Sequence, residues 1–136
     1  MKEDIIINGV SVNELKRQRD AIKKGASKII SENIEKAKKI TNQLVLSDSA
    51  DEIKSLAQEA YDALDTANIV SGVSGVTFSL PFYEEYGNYE SDEIFSHKLE
   101  DSDNKVLSEN WDAISDLYYL FENMEIQSRD WHSSRC

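Results

Sequence analysis

Apolar residues over most of this chain recur at intervals of three and four, the spacing that lines one face of an α-helix. Between Val12 and Leu46 they fall at Leu15, Ile22, Ala26, Ile29, Ile30, Ile34, Ala37, Ile40 and Leu44, with no proline among them. That predicts a single helix over 12–46, about nine turns long. Its stripe is thin, built largely from alanines and β-branched isoleucines, so it requires a partner helix. Gly25 weakens its middle by about 1 kcal/mol relative to alanine. After a break at Ser47-Asp48-Ser49, Ile53, Leu56, Ala57, Ala60, Leu64 and Ala67 repeat the same period, and Gly72 and Gly75 are stop signals. A second helix over 49–70, joined by so short a link, must run back along the first as an antiparallel αα-hairpin.

The helix starts carry their own signature. Ser11 with Glu14, and Ser49 with Glu52, have the S-x-x-E form of a capping box. Upstream, β-branched residues flank Asn8-Gly9, a pair suited to the two positive-φ positions of a type I′ turn, so residues 1–12 hold a short β-hairpin. Residues 71–103 change character. Val76 to Leu80 alternates apolar and polar positions as a strand does, and Pro81 closes it. An aromatic and acidic turn follows around Gly87-Asn88, and residues 94–99 are expected to return as a second strand. Ser102 or Asp103 then caps a helix over 104–126, with Val106, Leu107, Trp111, Ile114, Leu117, Tyr118, Phe121 and Met124 facing inward. Residues 127–136 form a polar tail. The expected fold is mainly α (α+β), one domain over 1–136: a short β-hairpin (1–12), a long helical hairpin (12–70), a small β-hairpin with an acidic aromatic loop (71–103), and a C-terminal helix (104–126).

Charge changes the picture more than composition does. Residues 1–40 carry ten Lys/Arg against six acids, a net of +4; residues 41–136 carry five against twenty, a net of −15. The overall −11 exceeds the magnitude of about 2–8 that keeps a small domain soluble, so the segregation speaks to partners. No apolar run approaches the roughly 18 residues of a membrane span. The first residues lack a signal-peptide apolar region, and the lone Cys136 precludes an internal disulfide. Together these place the expected protein in the cytoplasm, with no membrane partner.

Reactive chemistry is sparse. His97 and His132 have no Cys or His at ligand spacing beyond the His132/Cys136 pair, and a zinc site needs three or four ligands. Neither G-x-x-x-x-G-K-[ST] nor G-x-G-x-x-G occurs. Ser71 to Gly75 falls one residue short of a G-x-S-x-G elbow, and lies after a helix and before a strand, the reverse of what that elbow requires. The acidic stretches at Asp48–Glu52 and Asp101–Asn104 lack the EF-hand spacing and read as helix N-caps. Asp112 and Asp116 share a helix face, but no sugar-binding aromatic set accompanies them. The expectation is no enzyme, no metal and no cofactor.

Two surfaces remain. Lys16, Arg19, Lys23, Lys24 and Lys28 form a basic ridge along the first helix, expected to face the protein's own acids across the αα-hairpin or across a subunit interface. Direct nucleic-acid binding there is opposed by the net negative charge. The second surface is acidic and aromatic: Tyr83, Glu84, Glu85, Tyr86, Tyr89, Glu90, Asp92 and Glu93 in the loop, with Asp112, Asp116, Glu122 and Glu125 on the last helix. Carboxylates on successive helical turns approach a phosphate-like array, which fits the basic channel of a nucleic-acid enzyme.

The strand–Asn-Gly–strand unit before a capping box (Ile5 to Glu14), together with the ending Trp131-x-Ser133-Ser134-x-Cys136, resembles small accessory proteins of bacteriophages. The resemblance is confined to the two ends. It implies a host-takeover or anti-defence protein, a viral inhibitor that is small, acidic and non-catalytic and in some cases a DNA mimic. The function expected is therefore a phage-encoded acidic interaction protein, homo-oligomeric, which inhibits a host defence or nucleic-acid-processing complex through a basic surface of that complex. A signal-nucleotide or other small-molecule binder, with Arg129, Arg135, Tyr83 and Tyr86 as polar contacts, and a structural assembly protein are the alternatives.

Overall fold

The computed structural model describes residues 5–81 and 94–133, with side chains through Ser128. Strands β1 (Ile6–Ile7) and β2 (Val10–Ser11) pair antiparallel, with Ile6 opposite Ser11 and Ile7 opposite Val10. Asn8 and Gly9 have φ of 52° and 78°, the two left-handed positions that the Asn-Gly turn was expected to supply. Helix α1 (Val12–Leu44) begins where its sequence predicts, because the Ser11 hydroxyl accepts the Glu14 amide at 3.2 Å. Glu14 turns its carboxylate to Arg17 and Gln18.

Helix α2 (Ala50–Ser74) is capped by Ser49 and ends at Gly75, whose φ of 74° halts it four residues beyond the expected 70. It is the central element, packing against α1 on one side and α5 on the other. Its buried face is mostly alanine (Ala57, Ala60, Ala63, Ala67), and those small side chains let both neighbours approach. Ile53 and Leu64 on α2 and Ile34, Ile40 and Leu44 on α1 complete the hairpin seam.

The small β-hairpin expected over 71–103 is not what the described residues form. Residues 95–100 are a helix, α3 (Phe95–Glu100), with Phe95, Ser96 and Leu99 buried. An i, i+4 pair of large apolar residues supports one helical turn as well as a strand. Phe95 stacks on Phe121 at 5.3 Å, a contact that serves the core with the segment helical. Val76–Leu80 is extended and alternates as expected, with Phe78 and Leu80 buried and Thr77 and Ser79 exposed, but among the described residues it pairs with no strand. It inserts between helices, and its Leu80 amide donates to the Ser128 hydroxyl at 3.0 Å.

The last helix is divided. Helix α4 (Lys105–Glu109) is capped by Asn104 rather than Ser102 or Asp103, and α5 (Trp111–Ser133) follows after a break at Asn110 and continues through much of the expected tail. Asn104 works on two fronts. Its Oδ1 accepts the Val106 and Leu107 amides at 3.0 and 3.3 Å, while its Nδ2 donates to the Val45 and Ser47 carbonyls at 3.0 and 2.7 Å. It therefore latches α4 onto the α1–α2 turn. Ile114, Leu117, Phe121 and Met124 of α5 are fully buried, so the C-terminal helix anchors the core as its aromatic content predicts.

Candidate interaction surfaces

The core covers only part of α1. From Asn13 to Gly25 every residue is exposed; burial begins at Ala26 and then recurs at Ile30, Ile34, Ala37, Ile40 and Leu44. Helix α1 is eight residues longer than α2, and its exposed N-terminal half, with the exposed positions 28 and 29 of the next turn, forms an arm tipped by β1 and β2. The arm carries Lys16, Arg19, Lys23, Lys24 and Lys28, all exposed. Three apolar residues on the same arm are also uncovered: Leu15 at 50%, Ile22 at 65% and Ile29 at 44%. Ile5, Ile6, Ile7 and Val10 of the hairpin are exposed as well. An uncovered apolar patch of this kind marks an interaction site more often than an ordinary surface.

Of the two places where the ridge was expected to meet acids, the αα-hairpin shows no ion pair to it among the described residues. Ion pairs of the described lysines and arginines all lie within α1: Arg17 with Glu14, Arg19 with Asp20 (3.7 Å), Lys28 with Glu32 (3.9 Å) and Lys38 with Glu35 (3.5 Å). Helical neighbours three and four apart reach each other first. Consequently the acids of α2, α3, α4 and α5 have no lysine or arginine partner among the described residues.

On α5 these acids surround aromatic rings. Asp112 and Asp116 are exposed one turn apart, as their spacing predicts. Trp111, Tyr118 and Tyr119 lie in a chain of contacts, with ring centroids 5.3 and 5.2 Å apart. The Tyr118 hydroxyl lies 2.9 Å from Glu122 Oε2 and 3.1 Å from Glu100 Oε2, joining the end of α3 to α5. Burial raises the Tyr118 hydroxyl's pKa, and the two carboxylates raise it further, so the hydroxyl keeps its proton and donates it to Glu122 or to Glu100. The result is a carboxylate-rimmed aromatic surface, suited to lysine and arginine side chains.

Glu125 does not belong to that surface. It is buried, with Oε2 accepting from the Ser96 amide at 3.5 Å and Oε1 without a hydrogen-bond partner among the described residues. Burial pushes its carboxyl up to about 7, against the opposing pull of hydrogen bonds from Ser96 and Phe95. A count of acidic residues could not separate Glu125 from Glu122; the interior register of Phe121, Met124 and Ser128 does. Tyr83, Glu84, Glu85, Tyr86, Tyr89, Glu90, Asp92 and Glu93 lie outside the described residues, as do the side chains of Arg129 and Arg135. Sequence reasoning counted Glu100 among the acids of residues 84–103 but missed Tyr119 as part of the face, and took Leu15, Ile22 and Ile29 for core.

A shallow groove of about 240 Å³ between α1 and the 77–79 segment is lined by Ser27, Ser31, Glu35, Lys38, Thr77 and Ser79. It is smaller than the usual small-molecule pocket of about 300–1,000 Å³. Among the described residues no three His, Cys, Asp or Glu side chains converge as a metal site, and no helix is long and apolar enough to cross a membrane. Comparison with protein-family models, with curated proteins and with solved structures gives no match.

Proposed function

We propose that this protein is a non-catalytic interaction protein that receives a basic partner on the acidic aromatic face of α5. The observation that carries the reading is the combination on one face of Asp112, Asp116, Glu100 and Glu122 with Trp111, Tyr118 and Tyr119, none of the acids neutralised by a lysine or arginine among the described residues. Aromatic rings supply contact area at an interface, and unneutralised carboxylates steer and select the partner.

The resemblance of the chain's ends to phage accessory proteins extends the proposal to an inhibitor of a host defence or nucleic-acid-processing complex. In that role the acidic face occupies a basic surface that ordinarily takes a polyanion. The test is capture from host lysate by wild type and by Asp112→Lys/Asp116→Lys at low and high salt. Recovery of a defined partner that is lost both with salt and in the variant supports the proposal. Recovery indifferent to the two substitutions sinks it.

A further inference from the structure

The arm has the pattern of a helix made for one partner. Positions 12, 15, 19, 22, 26 and 29 alternate steps of three and four, the seam that packs along another helix, and five of the six are apolar. Ala26 is covered by the protein's own core, whereas Leu15, Ile22 and Ile29 are exposed. Flanking them, residues 12–29 carry six lysines and arginines against Glu14 and Asp20.

A second uncovered seam runs along α5. Asp112, Asp116, Tyr119, Asn123 and Ile126 recur at the same steps and are all exposed. Its two apolar members, Tyr119 and Ile126, are seven residues apart, as are Leu15 and Ile22. Charge chooses between the ways of joining the seams. Two arms against each other oppose six cations with six. Arm and α5 in parallel, with Leu15 at Tyr119, set Asp116 and Asp112 against residues 8–12, which bear no charge. Antiparallel, Leu15 meets Ile126 and Ile22 meets Tyr119, and Lys23, Lys24 and Lys28 come beside Asp116 and Asp112.

We propose that the arm of one copy of this chain lies antiparallel along the α5 seam of a second copy, and that the contact is reciprocated to close a two-fold dimer. The inference rests on the reading of α5 as a receiver of basic partners, and names that partner. Each contact runs about 20 Å, by helical rise. One alone is short for a stable interface of about 1,200–2,000 Å², and reciprocity doubles it.

Sedimentation of the full chain tests this. Wild type is expected at twice the chain mass in about 0.05 M salt, with a dissociation constant at least about tenfold weaker in about 1 M salt, where charges are screened beyond about 3 Å. Lys23→Glu/Lys24→Glu/Lys28→Glu and Asp112→Lys/Asp116→Lys are each expected to be monomeric with unchanged helical circular dichroism, since all five positions are exposed. Mixing the two variants in equal amounts restores a dimer, because each arm then meets an α5 seam of opposite sign. A monomeric wild type at low salt, a dimer in either variant alone, or a monomeric mixture overturns the inference. If wild type is monomeric yet binds a lysine-rich amphipathic peptide in a manner abolished by Asp112→Lys/Asp116→Lys, the second copy is ruled out and the acidic-face reading stands. Absence of peptide binding as well removes both.

Discussion

Residues 12–25 and 26–44 belong to one unbroken helix, yet they relate to the rest of the molecule in opposite ways. The second half places Ile30, Ile34, Ala37, Ile40 and Leu44 against the alanine face of α2 and is held by burial. The first half has apolar residues at comparable spacing, and Leu15 and Ile22 are left half or more exposed. Apolar periodicity establishes that a segment is helical and which face seeks cover. It does not establish that the chain itself provides the cover. That depends on where the neighbouring helix ends and which side chains it presents there, and α2, eight residues shorter than α1, stops at Ser74. An isolated helix of the arm's length is marginal in water, so its stability borrows from continuity with the packed half.

The sharpest break between the regions is a matched pair of truncations. Phe121→Ala, at a fully buried ring stacked on Phe95, is expected to cost about 3–5 kcal/mol in urea unfolding. Ile22→Ala in the arm should stay within about 0.5 kcal/mol when measured on the monomer. Equal costs at the two sites would mean that the arm is covered within one chain.

Glu125 gives the core a pH dependence. Its folded pKa, about 7, stands above the ordinary 4.5, so between those values the folded state holds a proton that the unfolded state has lost. Its contribution is therefore intact below about pH 4.5, declines as pH rises, and levels off above about 7, with a total change of up to about 3 kcal/mol. Glu125→Gln should flatten this part of the profile, read as the difference in melting temperature between variant and wild type from pH 4 to pH 8. A constant difference across that range would refute the assignment.

Asn104→Ala tests the latch at the closed end of the α1–α2 hairpin. Loss of the cap on α4 and of the bonds to Val45 and Ser47 is expected to cost about 2 kcal/mol. Hydrogen exchange should quicken at 105–109 and at the α1–α2 turn and remain unchanged in the arm. The smallest effect concerns Gly25, at the junction of the two halves. An alanine Cβ there meets nothing within 4 Å, so Gly25→Ala should slow amide exchange across 18–25 and add at most about 1 kcal/mol. A loss of stability would show that the junction needs glycine.

Much of this architecture is written locally. The Asn8-Gly9 turn, the Ser11 and Ser49 caps, the periods of α1 and α2 and the aromatic weight of α5 each follow from neighbouring residues, because capping, turn geometry and helical spacing act within a few positions. Residues 94–99 misled because a short apolar segment satisfies two periods at once, and only the stacking of Phe95 on Phe121 chooses helix. The acidic site was legible at Asp112 and Asp116, where exposure follows directly from helical phase. Glu125 was misplaced although its phase, shared with Phe121, pointed inward, and the approach of Glu100 to α5 through the Tyr118 hydroxyl is a contact that only the tertiary structure makes. The charge split was present in the residues from the start: a basic first third and an acidic remainder. Among the described residues folding decided that the two form no ion pair across helices, because the cations of α1 reach acids on their own helix first.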